Sequence, residues 1–163
     1  MVEAEEFKRG MRALVAGVTI ITTARDGDRR GLTATSVCSL TVDPPTLVAC
    51  VNRESSTHDA ILENSYFAVN LLTVDHVELA KVFSQPAPSA EERFAMGNWI
   101  VLQTGAPILA DSAAAFDCRV HETLTVSTHT IFVGSVVDIR VAHEVAPLAY
   151  GSAQWGRFQL GID

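Results

Sequence analysis

Four hydroxyl side chains, Thr33, Thr35, Ser39 and Thr41, recur at odd positions of GLTATSVCSLTVDPPTLVACVN (31–52). Successive side chains of an extended chain point to opposite faces, so these four share one face with Val37. Leu32, Ala34, Ser36, Cys38, Leu40 and Val42 share the other, which is expected to be the core face. The hydroxyl face is wetted either by solvent, for which strand threonines are well suited, or by a polar, extended ligand. If the strand is buried, each unpaired hydroxyl costs ~1–3 kcal/mol, which demands such a ligand or a compensating network. A short way on, NRESST (52–57) places Ser55, Ser56 and Thr57 before a helical pattern, with Ser56 three residues ahead of Asp59. The serines there either cap the helix or, with its free N–H groups and dipole, receive an anion such as phosphate. A strand of hydroxyls beside that helix start suits a phosphorylated cofactor with many hydrogen-bonding edges. No GxGxxG or GxxxxGKS loop is present, so a Rossmann or P-loop account of a nucleotide fails.

Other reactive residues give weaker signals. His129 precedes an apolar strand in STHTIFVG and reads either as a surface or core-edge histidine or as a functional one. Trp155 and Phe158 suit a core, an interface or a stacking wall. Cys38, Cys50 and Cys118 form no CxxC pair and read as small buried side chains in a reducing compartment. The five histidines lack ligand spacing, so no structural metal is expected, and no GxSxG elbow supports Ser/His/Asp catalysis.

The 163 residues suit one domain spanning 1–163. A hydrophobic fraction of 48% and mean hydropathy of +0.22 come without an apolar run of the ~18 residues a membrane helix needs. The surplus apolar surface therefore points to a subunit interface. The acidic, charged N-terminus lacks a secretory pattern, which predicts a cytoplasmic protein. A net charge of −7 without a Lys/Arg cluster argues against nucleic acid.

The elements that must position these residues are mostly strands. Phe7, Met11, Leu14 and Val15 fall at helical spacing and predict an amphipathic helix ended by Gly17. VTIITTA (18–24) and the hydroxyl strand form a hairpin across Asp26-Gly27. Pro44 and Pro45 interrupt the sheet before TLVACVN. YFAVNLL is a strand, VDHVELAKVFS a helix, and 85–99 a proline-bearing loop with room for a short helical turn; three β-rich segments follow. Strands outnumber helices and their connections are short, the pattern of a small antiparallel barrel with peripheral helices.

In order and spacing, GVTIITT, GLTATSVCSLTVDPPTLVACVN with SSTHDAI, FAVNLL, LAKVFS, RFAMGNW with TGAPIL, HTIFVGSVVD and PLAYGSAQWGRF resemble the short-chain flavin reductases, the reductase components of two-component flavin-dependent monooxygenases. The resemblance spans nearly the whole chain. It implies a mainly β, Greek-key split β-barrel of the FMN-binding type, forming a homodimer with FMN or FAD at the interface. It places Thr33, Ala34, Thr35 and Ser36 along the flavin's polar edge and ribityl chain, with Cys50, Val51 and Asn52 continuing that wall. Contact from Ser36 requires the strict alternation of faces to break. Ser55, Ser56 and Thr57 then lie near the phosphate, and Lys81 and Phe83 in a segment approaching the cofactor. His129 falls near the nicotinamide side, and Tyr150 and Trp155 on two aromatic positions of the tail. The chain departs from the family's tail by carrying Trp155 in place of tyrosine, and Ala153 where glycine is frequent.

The activity so implied is hydride transfer from NADH or NADPH to flavin N5, with reduced flavin diffusing to a partner monooxygenase. Stacking and positioning suffice, and no general acid or base is required. The rival readings are a flavin-binding electron carrier without NAD(P)H oxidation, a pyridoxamine-phosphate-oxidase-like enzyme and an interaction domain. The second would need basic residues on a substrate phosphate, and Lys and Arg are scarce in the site segments.

Overall fold

The computed structural model describes residues 2–86, 89–143 and 145–158. Strand β2 (Thr19–Arg25) is β-branched and buried over most of its length because neighbours cover both its faces. Its threonine hydroxyls are not orphaned: Thr19 donates to the Ala34 carbonyl, Thr22 to that of Pro107 and Thr23 to that of Tyr66. Asp26 and Gly27, both at positive φ, turn the chain into β3 (Asp28–Ala34), the hairpin that the Asp-Gly pair predicts.

The hydroxyl segment is not one strand. It bends at Thr35 and Ser36, and the chain resumes as β4 (Val37–Val42) and β5 (Pro45–Asn52). The seven-stranded sheet runs in the order β3-β2-β6-β9-β10-β5-β4, with β6 at Tyr66–Leu71, β9 at Ala114–Val126 and β10 at His129–Val141. Consecutive strands β3 and β4 thus occupy opposite edges of one sheet. The sheet must curl until its edges meet at the bend, which makes a mainly β split barrel with peripheral helices. The bend also overturns the expected alternation: Ala34 faces the core before it and Val37 after it, while Cys38, Leu40 and Val42 are exposed. A register shift between Ser39 and Thr41 displaces the strand again.

Helices cover the flanks. In α1 (Ala4–Met11) no residue is buried, so the expected helix ending at Gly17 is corrected: it stops at Met11, and Phe7, Met11, Leu14 and Val15 are all exposed. Short strand β1 (Ala16–Gly17) follows and pairs with β11 (Leu148–Gly151), which pairs with β12 (Gln154–Arg157). Helix α2 (Ser56–Asn64) starts one residue earlier than its pattern suggested, with Ser55 as the cap whose hydroxyl accepts from Thr57 N–H. A 3-10 turn (Val74–His76) leads into α3 (Val77–Phe83). The segment 85–99 holds α4 (Ala90–Phe94); its residues 87 and 88 lie outside the described ones. A small pair, β7 (Trp99–Val101) and β8 (Pro107–Leu109), was not anticipated from sequence and is tied down by buried Asn70, whose amide oxygen accepts from Leu109 N–H.

The barrel core packs Phe67 against Phe132 and closes over Gly134, where a Cβ would lie 2.6 Å from the Phe67 ring and 3.0 Å from Cys118 Cβ. Gly134→Ala is therefore expected to lower stability by about 1–3 kcal/mol, read as a shift of the urea midpoint; an unchanged midpoint would show that the core has slack there.

Candidate functional site

The edge of β3 is sealed by helices rather than by another strand. Thr33 Oγ1 donates to the Ala80 carbonyl of α3 at 2.7 Å, and Arg93 of α4 donates to the Gly31 carbonyl at 3.3 Å. Where this sealed edge faces the end of β5, a cavity of about 510 Å³ opens, lined by Leu32, Thr33, Asn52, Glu54, Ser55, Ser56, Phe83, Ser84, Gln85, Pro86 and Arg93. Its volume lies within the range of small-molecule sites.

Five of the residues singled out from sequence meet here: Thr33, Asn52, Ser55, Ser56 and Phe83. Each arrives for a structural reason. Asn52 ends β5, and its Oδ1 accepts from Glu54 N–H at 3.0 Å, turning the chain into α2. Ser55 and Ser56 open that helix toward the cavity. Phe83 is 2% exposed; it packs edge-on to Phe94 at 5.1 Å and presents an edge to the cavity while remaining core.

Other sequence candidates lie around this cavity rather than on it. Ala34 and Val51 are buried, and only their backbone is available to a ligand. Thr57 is 1% exposed behind the helix start. Thr35 and Ser36 line a neighbouring cavity of about 540 Å³ with Phe7, Met11, Tyr150 and Gly151. One cavity thus reaches the strand ahead of the bend and the other the bend itself. Ser36 and Cys50 join across it: Ser36 Oγ donates to the Cys50 carbonyl at 2.8 Å, and Cys50 N–H donates to the Ser36 carbonyl at 3.0 Å. Trp155 sits on Tyr150 at 4.9 Å between ring centroids and belongs to the core cluster under β11 and β12. Lys81 pairs with Glu78 at 2.6 Å on the outside of α3 and does not line the cavity. His129 is exposed at the start of β10, directly across from Asn52, with Nδ1 2.9 Å from Thr128 Oγ1. It shares the rim with the cavity without lining it.

The cation at this cavity was missed by sequence. Arg93 donates to the Gln85 carbonyl at 2.6 Å and the Pro86 carbonyl at 2.9 Å, folding the 84–86 turn over the cavity mouth. The only local signal was the capping box of Ser89 and Glu92 that starts α4, because Arg93 lies 62 residues from Gly31, whose carbonyl it meets across the cavity edge. Arg93, the α2 N-terminus and the serine hydroxyls give one end of the cavity the character of an anion site. Glu54 is the acidic member of the lining, and its exposed side chain sits in high dielectric.

The profile of the family described as Flavin reductase like domain matches residues 11–157. The chain belongs to that family. The flavin reductase-like chain is 45% identical, over 94% of its length and 89% of the relative's, to a protein of Methylorubrum extorquens strain PA1 named FMN reductase (NADH) RutF 2. It superposes with a TM-score of 0.94 on YcdH of Haemophilus somnus 129PT, a candidate flavin reductase, at 36% identity over 96% of this chain and 100% of that one. With a TM-score of 0.88 and 26% identity, over 95% and 98% of the two chains, it also matches BorF, the flavin reductase component of a bacterial two-component tryptophan halogenase. Among the described residues of this flavin reductase-like protein, no helix is long and apolar enough to cross a membrane.

Its thiols differ sharply. Burial, reinforced by Asp117, pushes Cys118 up to about 12, and burial with a smaller contribution from Cys38 raises Cys50; Cys38 is exposed. Iodoacetamide at about pH 8.5 is thus expected to modify Cys38 first and Cys118 only after unfolding. The unfolded chain releases the Cys118 proton near 9.0 and the folded chain only near 12, so this group lowers stability as pH rises through that window. Cys118→Ala should flatten the loss; equal pH slopes would contradict the assignment.

Proposed function

We propose that this protein is an NAD(P)H:flavin oxidoreductase that reduces FMN or FAD by hydride transfer and supplies reduced flavin to a partner monooxygenase. One observation supports the placement: two cavities open along 32–36, one at Leu32 and Thr33 with Ser55, Ser56 and Arg93, the other at Thr35 and Ser36 with Phe7, Met11 and Tyr150 as well as Lys8 and Arg12. An elongated ligand with a phosphate at one end and a flat ring at the other fits that division. Its phosphate lies against Ser55, Ser56 and Arg93, its polyol chain along Thr33, Asn52 and the backbone of Ala34 to Ser36, and its ring toward Thr35, Ser36 and the Cys50–Val51 backbone. The flavin supplies the hydride-accepting N5. The protein's share is orientation: hydrogen bonds from the bend to the ring edge, exclusion of water, and an aromatic tail, Tyr150 and Trp155, beside the nicotinamide. His129 stands at the rim as the polar group on the nicotinamide side, and Lys81 remains the weakest member of the set.

The functional unit in this reading is the whole of 1–163, acting in solution as a homodimer. Leu40, Val42, Ile139 and Val141 are half or more exposed, and an apolar cavity of about 560 Å³ opens among Val37, Leu47, Leu71, Phe116 and Val136. A second subunit would cover that surface. The names of the relatives favour NADH and FMN, and the component role of BorF favours a two-component partnership. The electron-carrier reading keeps the same cavities and differs only in lacking NAD(P)H oxidation.

Purified protein is expected to consume NADH aerobically only when FMN or FAD is added, followed as loss of nicotinamide absorbance. Tight flavin binding with no consumption of NADH or NADPH would move the protein to the electron-carrier class.

A further inference from the structure

Behind the α2 N-terminus lies a polar chain that nothing in the proposed reaction uses. His58, 5% exposed, has Nδ1 2.8 Å from Asp59 Oδ1 and Nε2 2.9 Å from Thr130 Oγ1. Thr130, 1% exposed, has its hydroxyl 3.1 Å from Thr125 Oγ1. The carboxylate at Nδ1 selects the tautomer with its proton there. Nε2 then accepts from the Thr130 hydroxyl, which accepts in turn from Thr125. The ring also meets Phe132 edge-on at 5.6 Å.

The order carboxylate, imidazole, hydroxyl is that of a hydrolase triad, yet Thr130 is sealed inside the barrel and no substrate can reach it. The chain instead joins three elements. His58 belongs to the first turns of α2, whose Ser55 and Ser56 line the cavity. Thr130 belongs to β10, next to His129 and opposite Val51 on β5, the strand that ends in Asn52. Thr125 belongs to β9. A rigid side-chain bridge therefore spans from the helix that opens on the anion end to the strand pair that carries Asn52 and His129.

We infer that His58 is a positioning residue for flavin binding, holding the α2 N-terminus at a fixed distance from Asn52 and His129 through Thr130. The inference rests on the flavin reductase reading. Its physical basis is that the His58–Thr130 bond is buried and directional, with the bonds to exposed Asp59 and Thr125 flanking it, so the helix start cannot shift without leaving His58 Nε2 unpaired in the core. A buried leucine pair would pack α2 equally well without fixing its rotation about the strand.

The test compares wild type, His58→Ala, His58→Gln and Thr130→Val for FMN dissociation constant by flavin fluorescence, and for kcat and KM of NADH oxidation. Gln supplies an acceptor near the Nε2 position, and Thr130→Val removes only the hydroxyl. His58→Ala and Thr130→Val are expected to bind FMN about tenfold more weakly. At saturating flavin, kcat and the KM for NADH should stay within about twofold, and His58→Gln should recover most of the affinity. Should His58→Ala not fold, Thr130→Val and His58→Gln decide. FMN affinity unchanged in Thr130→Val overturns the inference, as does a parallel loss of kcat and both substrates' affinities, which would mark general loosening. Wild type that binds FMN but oxidises no NADH would sink the reductase reading alone, since the dissociation constants still report on His58. Wild type that binds no flavin overturns both.

Discussion

The bend at Thr35 and Ser36, sealed by the reciprocal bonds between Ser36 and Cys50, sets the path of the whole sheet. It carries the chain from one edge of a seven-stranded sheet to the other in two residues, and so forces the sheet to close on itself. Closure is partial. Ahead of the bend the β3 edge is capped by α3 and α4 through the Ala80 and Gly31 carbonyls. The gap left between that capped edge and the end of β5 is the candidate site. Fold and site thus have one cause, a strand interrupted where an uninterrupted one would have made a flat sheet with two exposed edges.

Much of this was legible in residue types. The β-branched run of β2, the Asp26-Gly27 turn, the break at Pro44 and the serines at the α2 start each found the predicted structure, because each depends on local chemistry: side-chain branching, positive φ, a missing donor, a capping hydroxyl; Pro45, expected in the break, instead opens β5 opposite Val42. What failed was the alternation of faces through 31–42. A period of two assumes one strand, and nothing in TATSVC announces that the chain will break pairing with β2 and begin pairing with β5. That choice is made by partners 14 residues away, at Cys50. The α1 prediction failed for a related reason: helical spacing of Phe7, Met11, Leu14 and Val15 shows that an apolar stripe exists, not that this chain covers it.

The site divided along the same line. Ser55 and Ser56 are sequence neighbours that one local pattern found together, while Asn52 was reached only through the family resemblance. Arg93 comes from a different element and reaches the cavity only because Phe94 packs against Phe83 and Trp99, turning α4 so that its guanidinium lies over the 84–86 turn. His58 was hidden by its neighbourhood: within SSTHDAI it reads as one more polar residue in a helix start, and only the placement of Thr130 beneath it reveals a buried network.

The anion end of the split, Arg93 with Ser55 and Ser56 at the α2 start, is proposed to hold the phosphate of a flavin. Titration of FMN and riboflavin into wild type and into Arg93→Met isolates that contact, since the two flavins differ only in that phosphate. FMN should bind at least about tenfold tighter than riboflavin in wild type, with most of the difference lost in Arg93→Met. Equal affinity of wild type for the two flavins would place the phosphate elsewhere.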